Sequence, residues 1–323
     1  MSSAVDRSLI VEVSDVAAEA RDVMRLELRP TGGAMLPPFQ PGAHVEIGLP
    51  GGLVRHYSLV NDWRETDRYV IAVSRTVDSR GGSDFLHTGV RRGMKLKISA
   101  PRNNFSLNPE AGRYLFVAGG IGITPIMAMI HWCDANEKPW RLIYAARSRQ
   151  RAAFFEDLSF GADSHRIRFH FKEEKRASLD IAAALQGLEA DEHIYCCGPA
   201  SLMQAVRDNS ADRPAGTVRF EWFTAPDDPA AGSDDDEFTV TLKRDGRTLT
   251  VQPGASILEV LEGNGLVVPY SCREGLCGTC RTTVLAGQPD HRDYVLTDEE
   301  REAGTAMMLC VSRALSPDIV LDL

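Results

Sequence analysis

The chain has 323 residues, 43% of them hydrophobic and 25% charged, with a formal net charge of −9. That length exceeds what one hydrophobic core ordinarily supports, so two or three compact domains are expected, and the composition excludes wholesale disorder. No run approaches the roughly 18–20 apolar residues of a membrane helix, residues 1–10 lack the pattern of a secretory signal, and the acidic balance disfavours nucleic acid, so a cytoplasmic protein without membrane or nucleic-acid partner is expected.

From residue 10 to about 100, short apolar runs at 26–28, 45–47 and 69–73 are separated by Gly and Pro clusters at 31–38 and 50–52, the pattern of an antiparallel β-barrel. Arg55-His56-Tyr57-Ser58 lies on one of its strands. It offers a guanidinium for phosphate, a ring to cover a flat ligand and a hydroxyl for that ligand's edge, although an ordinary exposed strand has the same composition. Gly81-Gly82-Ser83 opens a short helix, where unpaired amides form a phosphate cradle.

Residues 114–118 then read as a buried strand, broken by Gly119-Gly120-Ile121-Gly122, and 124–133 as an apolar helix that begins Thr124-Pro125. This turn suits a pyrophosphate but does not spell the G-x-G-x-x-G fingerprint, so a plain strand-to-helix turn is the other reading. Strands at 141–145, 167–171 and 192–196 alternate with helical candidates at 152–158, 179–188 and 200–208, which predicts a parallel sheet covered on both faces. Arg147-Ser148 follows the first of these strands, where an arginine can meet a ribose phosphate or stack on adenine. Residues 227–236, rich in Pro, Gly, Ala and Asp, read as an interdomain linker.

Beyond it, apolar and polar residues alternate over 238–243, Asp245-Gly246 supplies a hairpin turn, and a short helix is expected over 256–261. Cys272, Cys277 and Cys280, with Cys310 downstream, have the C-x4-C-x2-C...C spacing of a 2Fe-2S site. Three thiolates must converge from one tightly curled loop, which Gly275 and Gly278 permit, and the curl frees amides to bond the sulfurs. A four-cysteine zinc site is the competing reading, although zinc sites usually show two close pairs. From Ser233 onward there are 16 acidic against 8 basic residues, or −8 of the formal −9. That concentration suits docking to a basic protein surface, or simply a solubilising face.

With its hairpin, the segment 237–323 resembles a plant-type ferredoxin domain of the β-grasp kind. Arg55-x-Tyr57-Ser58 with Gly81-Gly82-Ser83 resembles the flavin domain of the ferredoxin reductase superfamily. Cys197-Gly198-Pro199 resembles that superfamily's Cys-Gly-Pro element, which implies a Cys197 thiol beside the nicotinamide. Glu221-Trp222-Phe223 resembles its closing Glu-x-Phe, which implies that Phe223 covers the flavin, with an ordinary core position as the alternative. The order of modules is that of the phthalate dioxygenase reductase family, also called vanillate demethylase reductases.

The resemblance implies a flavin-binding β-barrel domain over 1–108, a parallel-sheet nicotinamide domain over 109–226, the linker, and the 2Fe-2S domain over 237–323. It implies FMN in preference to FAD, NADH in preference to NADPH, and a terminal Rieske non-haem iron oxygenase as partner. Cys197, Thr124, Glu221 and Phe223 would frame hydride transfer, Gly119, Gly120, Gly122, Pro125, Arg147, Ser148, Gly198 and Pro199 would hold the dinucleotide, and Arg55, His56, Tyr57, Ser58, Gly81, Gly82 and Ser83 the flavin. A stand-alone reductase of small acceptors and a redox-sensing module are the other functions compatible with the same motifs.

Overall fold

The computed structural model describes residues 8–75, 81–161, 163–225 and 236–323. It divides into two compact units, Met1–Glu221 and Trp222–Leu323. Of the expected linker, residues 227–235 lie outside the described residues.

The first unit opens with six strands, β1 (Leu9–Ala20), β2 (Val23–Pro30), β3 (His44–Gly48), β4 (Val54–Ser58), β5 (Tyr69–Ser74) and β6 (Lys95–Ile98), with helix α1 (Gly82–Gly89) before the last. They form one antiparallel sheet in the order β4-β3-β6-β1-β2-β5. The sheet curls until β4 and β5 approach each other, and just past β4 Val60 N–H donates to the Val70 carbonyl of β5 at 3.0 Å. The strands alternate, with Val11, Val13, Leu26, Leu28, Val45 and Ile47 facing inward and all buried.

Strands β7 (Arg113–Gly119), β8 (Trp140–Ala146), β9 (Ile167–Phe171), β10 (Glu192–Cys197) and β11 (Val218–Glu221) form a parallel sheet in the order β11-β10-β7-β8-β9. Between them run helices α2 (Ile123–Ala135), α3 (Phe155–Phe160), α4 (Lys172–Lys175), α5 (Ile181–Ala184) and α6 (Ala200–Asp208), because parallel strands can be joined only by crossovers. Helix α2 is buried on nearly every side, which explains why its sequence is almost uniformly apolar. Two helical candidates are shorter than expected. Over 152–158 the helix starts only at Phe155, because Phe154 has φ +58. Over 179–188 it is reduced to α5, capped by Asp180. Val60, Val70 and Ala72 of the barrel share one hydrophobic cluster with Tyr114, Phe116 and Met129 of the parallel-sheet region.

The second unit contains β12 (Phe238–Leu242), β13 (Thr248–Val251), helix α7 (Ile257–Gly263), β14 (Arg281–Ala286), β15 (Pro289–Asp290), helix α8 (Asp298–Ala303), β16 (Ala306–Met308), β17 (Arg313–Ala314) and β18 (Asp318–Leu321). Its mixed sheet runs β13-β12-β18-β14-β16, with β12 and β18 parallel, and β15 pairs with β17. Helix α7 packs Ile257, Leu258 and Leu261 into the sheet's core, the β-grasp arrangement. Both helices start with capping boxes, Ser256 with Glu259 and Thr297 with Glu300. Among the described residues no helix is long and apolar enough to cross a membrane.

Candidate functional site

Arg55, His56, Tyr57 and Ser58 occupy β4, at one end of the antiparallel sheet. The register sets Val45 opposite Tyr57 and Glu46 opposite His56, so Arg55 and Tyr57 point to one face and His56 and Ser58 to the other. The Arg55 stem crosses the start of α1. A Cβ on Gly82 would stand 2.6 Å from Arg55 Cγ and 2.9 Å from its Nε, so the absence of a side chain there lets guanidinium and helix N-terminus converge on one anion. Gly81 caps that helix and Ser83 is its second residue. Burial pushes the Tyr57 phenol up to about 12, so it stays protonated.

In an open parallel sheet the ligand crevice lies where the strand order reverses, outside the carboxyl ends of the strands. Here the reversal falls between β7 and β10. The two strands meet there backbone to backbone: a Cβ on Gly122 would lie 2.2 Å from the Cys197 carbonyl oxygen, and one on Gly198 would lie 2.9 Å from Gly119 Cα. A Cβ on Gly119 would meet Pro199 Cδ at 2.5 Å. Gly120, at φ +55, turns the chain from β7 toward α2, where Thr124 donates its hydroxyl proton to the Ile121 carbonyl at 2.9 Å and Pro125 sits in the first turn. The result is a floor of bare backbone at a helix N-terminus, which suits a dinucleotide.

Beside this floor three groups from separate strands come together. Cys197 ends β10 in register with Glu221 of β11, and Glu221 shares a hydrogen bond with the Ser58 hydroxyl of β4. Burial raises the Glu221 carboxyl to about 8, with the Ser58 bond opposing part of that rise. Its Oε2 is buried with no hydrogen-bond partner among the described residues. Burial also pushes the Cys197 thiol well up, and the nearby Glu221 charge adds to this, so it remains a thiol. The trio can present a hydroxyl, a neutral carboxyl and a soft thiol to a ligand without placing a fixed charge there. Phe223, by contrast, falls in the second unit and is 42% exposed.

Arg147 is exposed just past β8, and its carbonyl accepts from Glu173 N–H at 3.0 Å. Ser148 precedes a single 3₁₀ turn over Arg149–Arg151. Sequence reasoning stopped at this pair and missed a neighbouring pocket of about 420 Å³, lined among others by Arg149, Phe155, Phe169, Phe171 and Lys175. The Arg149 guanidinium lies over the Phe155 and Phe171 rings at 5.1 and 5.4 Å. The Phe169-x-Phe171 alternation was its only sequence signal.

In the second unit the loop between α7 and β14 carries Cys272, Cys277 and Cys280, and Cys310 follows β16. The Cys280 and Cys310 sulfurs are 3.3 Å apart, and Cys272 contacts both Cys277 and Cys310. The four sulfurs therefore form one continuous series. The amides of Glu274 and Leu276 each donate to Cys272 Sγ at 3.4 Å, and that of Cys272 donates to Cys277 Sγ at 3.5 Å. Gly275 allows the curl at φ +69 and leaves no room for a side chain, since a Cβ would meet Val311 Cγ2 at 2.7 Å. No three His, Cys, Asp or Glu among the described residues are placed as ligands of a single metal ion. Amides aimed at sulfur favour an anionic iron–sulfur centre, so the residues present fit the 2Fe-2S reading. Asp293 supports the loop from below, its buried carboxylate accepting from Val295 and Leu296 N–H while Tyr294 N–H donates to the Gly275 carbonyl. Nothing in the sequence pattern singled it out.

Comparison with known proteins identifies both kinds of domain. Residues 240–315 match the 2Fe-2S iron-sulfur cluster binding domain and 116–208 the oxidoreductase NAD-binding domain. The chain is 44% identical to tetrachlorobenzoquinone reductase of Sphingobium chlorophenolicum over 96% of its own length and 97% of the relative's. It is 40% identical to the solved phthalate dioxygenase reductase, described as a modular structure for electron transfer from pyridine nucleotides to [2Fe-2S], covering 98% of each chain with a TM-score of 0.72. The chain belongs to the phthalate dioxygenase reductase family. It is an oxidoreductase that carries electrons from a pyridine nucleotide to a 2Fe-2S centre. The same architecture occurs inside an intact type IV self-sufficient cytochrome P450 monooxygenase, with a TM-score of 0.92 and 35% identity over 98% of this chain but only 41% of that one.

Proposed function

We propose that this reductase is the electron-delivery component of a two-component oxygenase system, moving electrons from NADH through FMN to its own 2Fe-2S centre and on to a Rieske-type oxygenase. The observation that carries the reading is the convergence of Ser58, Cys197 and Glu221 beside the bare glycine floor at the switch point. When bound, the flavin would accept one hydride, two electrons at once, and the cluster would accept single electrons, so together they would convert a two-electron donor into a one-electron source.

The chain's own residues supply position and electrostatics. Arg55 and the α1 N-terminus hold the flavin phosphate, and the Tyr57 ring covers the isoalloxazine. Gly119, Gly120, Gly122, Gly198 and Pro199 admit the pyrophosphate to the backbone, while Thr124 and Pro125 fix the start of α2. Arg147, Ser148 and the adjoining Arg149–Phe155 pocket receive the adenosine end. Cys197 borders the nicotinamide as a neutral thiol. Cys272, Cys277, Cys280 and Cys310 bind the irons. The acidic carboxy-terminal segment, from Ser233 onward, docks on the oxygenase.

Anaerobic titration with NADH is expected to bleach both flavin and cluster absorbance. A purified chain without iron, or one whose cluster stays oxidised under NADH, overturns the reading. Raised salt is expected to slow electron delivery to the oxygenase while leaving flavin reduction by NADH unchanged. A second reading is favoured by the quinone reductase relative: direct reduction of a small quinone by the reduced chain, tested by its turnover without any oxygenase present.

A further inference from the structure

We propose that His44 and His56 form a proton exit that leads from the Ser58–Glu221 pair to the protein surface at Glu46 and Arg102. The inference rests on the proposed NADH oxidation. That reaction yields NAD+, two electrons and one proton, and the electrons depart through one-electron carriers, so the proton must leave by a separate path through the protein.

The strand register lays out such a path. His44 lies directly opposite Ser58, and Glu46 directly opposite His56, in the β3–β4 ladder. Directly opposed residues, and residues two apart on one strand, share a face, so His44, Glu46, His56 and Ser58 form a four-membered group on the face opposite Arg55 and Tyr57. Ser58 links this group to the Glu221 carboxyl. The His44 and His56 rings are 5.3 Å apart, edge to face. His56 Nε2 is 3.9 Å from Glu46 Oε1, and the same oxygen accepts from Arg102 Nη1 at 2.8 Å.

Exposure is lowest at the inner end of the path and highest at its outer end. His44 is 5% exposed, the side chains of Glu46 and His56 are 16% and 24% exposed, and that of Arg102 41%. His44 Nε2 is buried and makes no hydrogen bond among the described residues, an unusual state for an imidazole in a core. Burial, with the neighbouring charges of His56 and Arg102, pulls His44 down to about 3, so it is neutral at rest and charged only in transit. That keeps a fixed positive charge away from the hydride site. It also means that each transfer is balanced: an N–H bond forms on one ring nitrogen of His44 as the O–H bond of the Ser58–Glu221 pair breaks. His44 then releases its other N–H proton to His56, which gives it up to the Glu46 carboxylate or on to water; the proton set free by NADH oxidation refills the Ser58–Glu221 pair, and each ring turns over to recover its starting tautomer before the next transfer.

Proton access to Glu221 can be read on the full chain without turnover. The carboxyl C=O stretch of Glu221, identified by its disappearance in Glu221→Gln, shifts when the protein is moved into D2O, and the rate of that shift measures exchange. In His44→Gln and in the partly exposed His56→Gln the exchange is expected to slow by roughly tenfold or more, and the solvent isotope effect on electron delivery to ferricyanide to rise. Added imidazole is expected to restore exchange in His44→Ala. Native exchange rates in both glutamine variants overturn the proposal, and if His44→Gln fails to fold, the His56→Gln result alone decides. Because the exchange is measured in the absence of NADH, its outcome is separate from the NADH titration that tests the proposed function.

Discussion

Gly122→Ala isolates the packing on which the nicotinamide site depends. Gly122 has φ −63, an ordinary helical value, so an alanine there is free of backbone strain and by propensity alone stabilises by about 0.5–1 kcal/mol. Space decides against it. The new Cβ would lie 2.2 Å from the Cys197 carbonyl oxygen, 2.5 Å from its carbon and 2.8 Å from Gly198 N. All three are backbone atoms, two of Cys197 at the end of β10 and one of the glycine that follows it, so no side chain can swing away, and the α2 start must part from β10 by about 1 Å to reach normal contact. Overpacking of this kind costs about 1–3 kcal/mol, which in a unit of this size lowers Tm by roughly 2–12 °C. A displacement of about 1 Å at the hydride site also lowers kcat/KM for NADH by about 10²-fold. Thermal unfolding and stopped-flow reduction by NADH measure the two effects. Gly120→Ala is the control: it has φ +55 but nothing within 4 Å of its Cβ, so it costs about 1–2 kcal/mol of backbone strain with a smaller kinetic effect. A Gly122→Ala protein with native Tm and native kcat/KM would refute the backbone-contact argument.

Glu221 sets a pH dependence of stability. Its folded carboxyl holds a proton to about 8, against the ordinary 4.5, so between these values the folded chain binds more protons than the unfolded one and stability falls as pH rises. The loss begins near pH 4.5, is complete above pH 8, and is at most about 5 kcal/mol. Glu221→Gln should flatten that slope, as urea midpoints at pH 5 and 8.5 will show; parallel slopes in both proteins exclude the buried carboxyl as the cause. Gly275→Ala combines an unfavourable φ of +69 with a Cβ 3.0 Å from Asp293 Cα, and should lower iron and sulfide content severalfold while leaving bound flavin at native stoichiometry. Cys310→Ala should abolish the cluster's visible absorbance, since Cys310 touches both Cys280 and Cys272; full iron retention in this variant would remove it from the ligand set.

The local signals were the ones legible beforehand. The C-x4-C-x2-C spacing, the Gly119-Gly120-Ile121-Gly122 break and the Arg55 to Ser58 strand depend on neighbours in the chain, and each appears where the residue order places it. Short apolar runs broken by turn residues announced the β-barrel and the alternation of strand and helix candidates the parallel sheet, because burial writes itself into local order, whereas the β-grasp part came from the resemblance of 237–323 to a ferredoxin domain. Helix α8 could have been read from Thr297-Asp298-Glu299-Glu300, whose capping box is a local signal that was passed over. What only the tertiary structure decided was pairing at long range. Nothing in the chain places His44 opposite Ser58, Cys197 beside Glu221, or the Gly122 Cα against the Cys197 carbonyl, because strand register and close backbone approach are set by the packing of whole sheets. The residue types that carry the chemistry were therefore visible in one dimension, while the burial that holds a carboxyl and an imidazole neutral exists only in three.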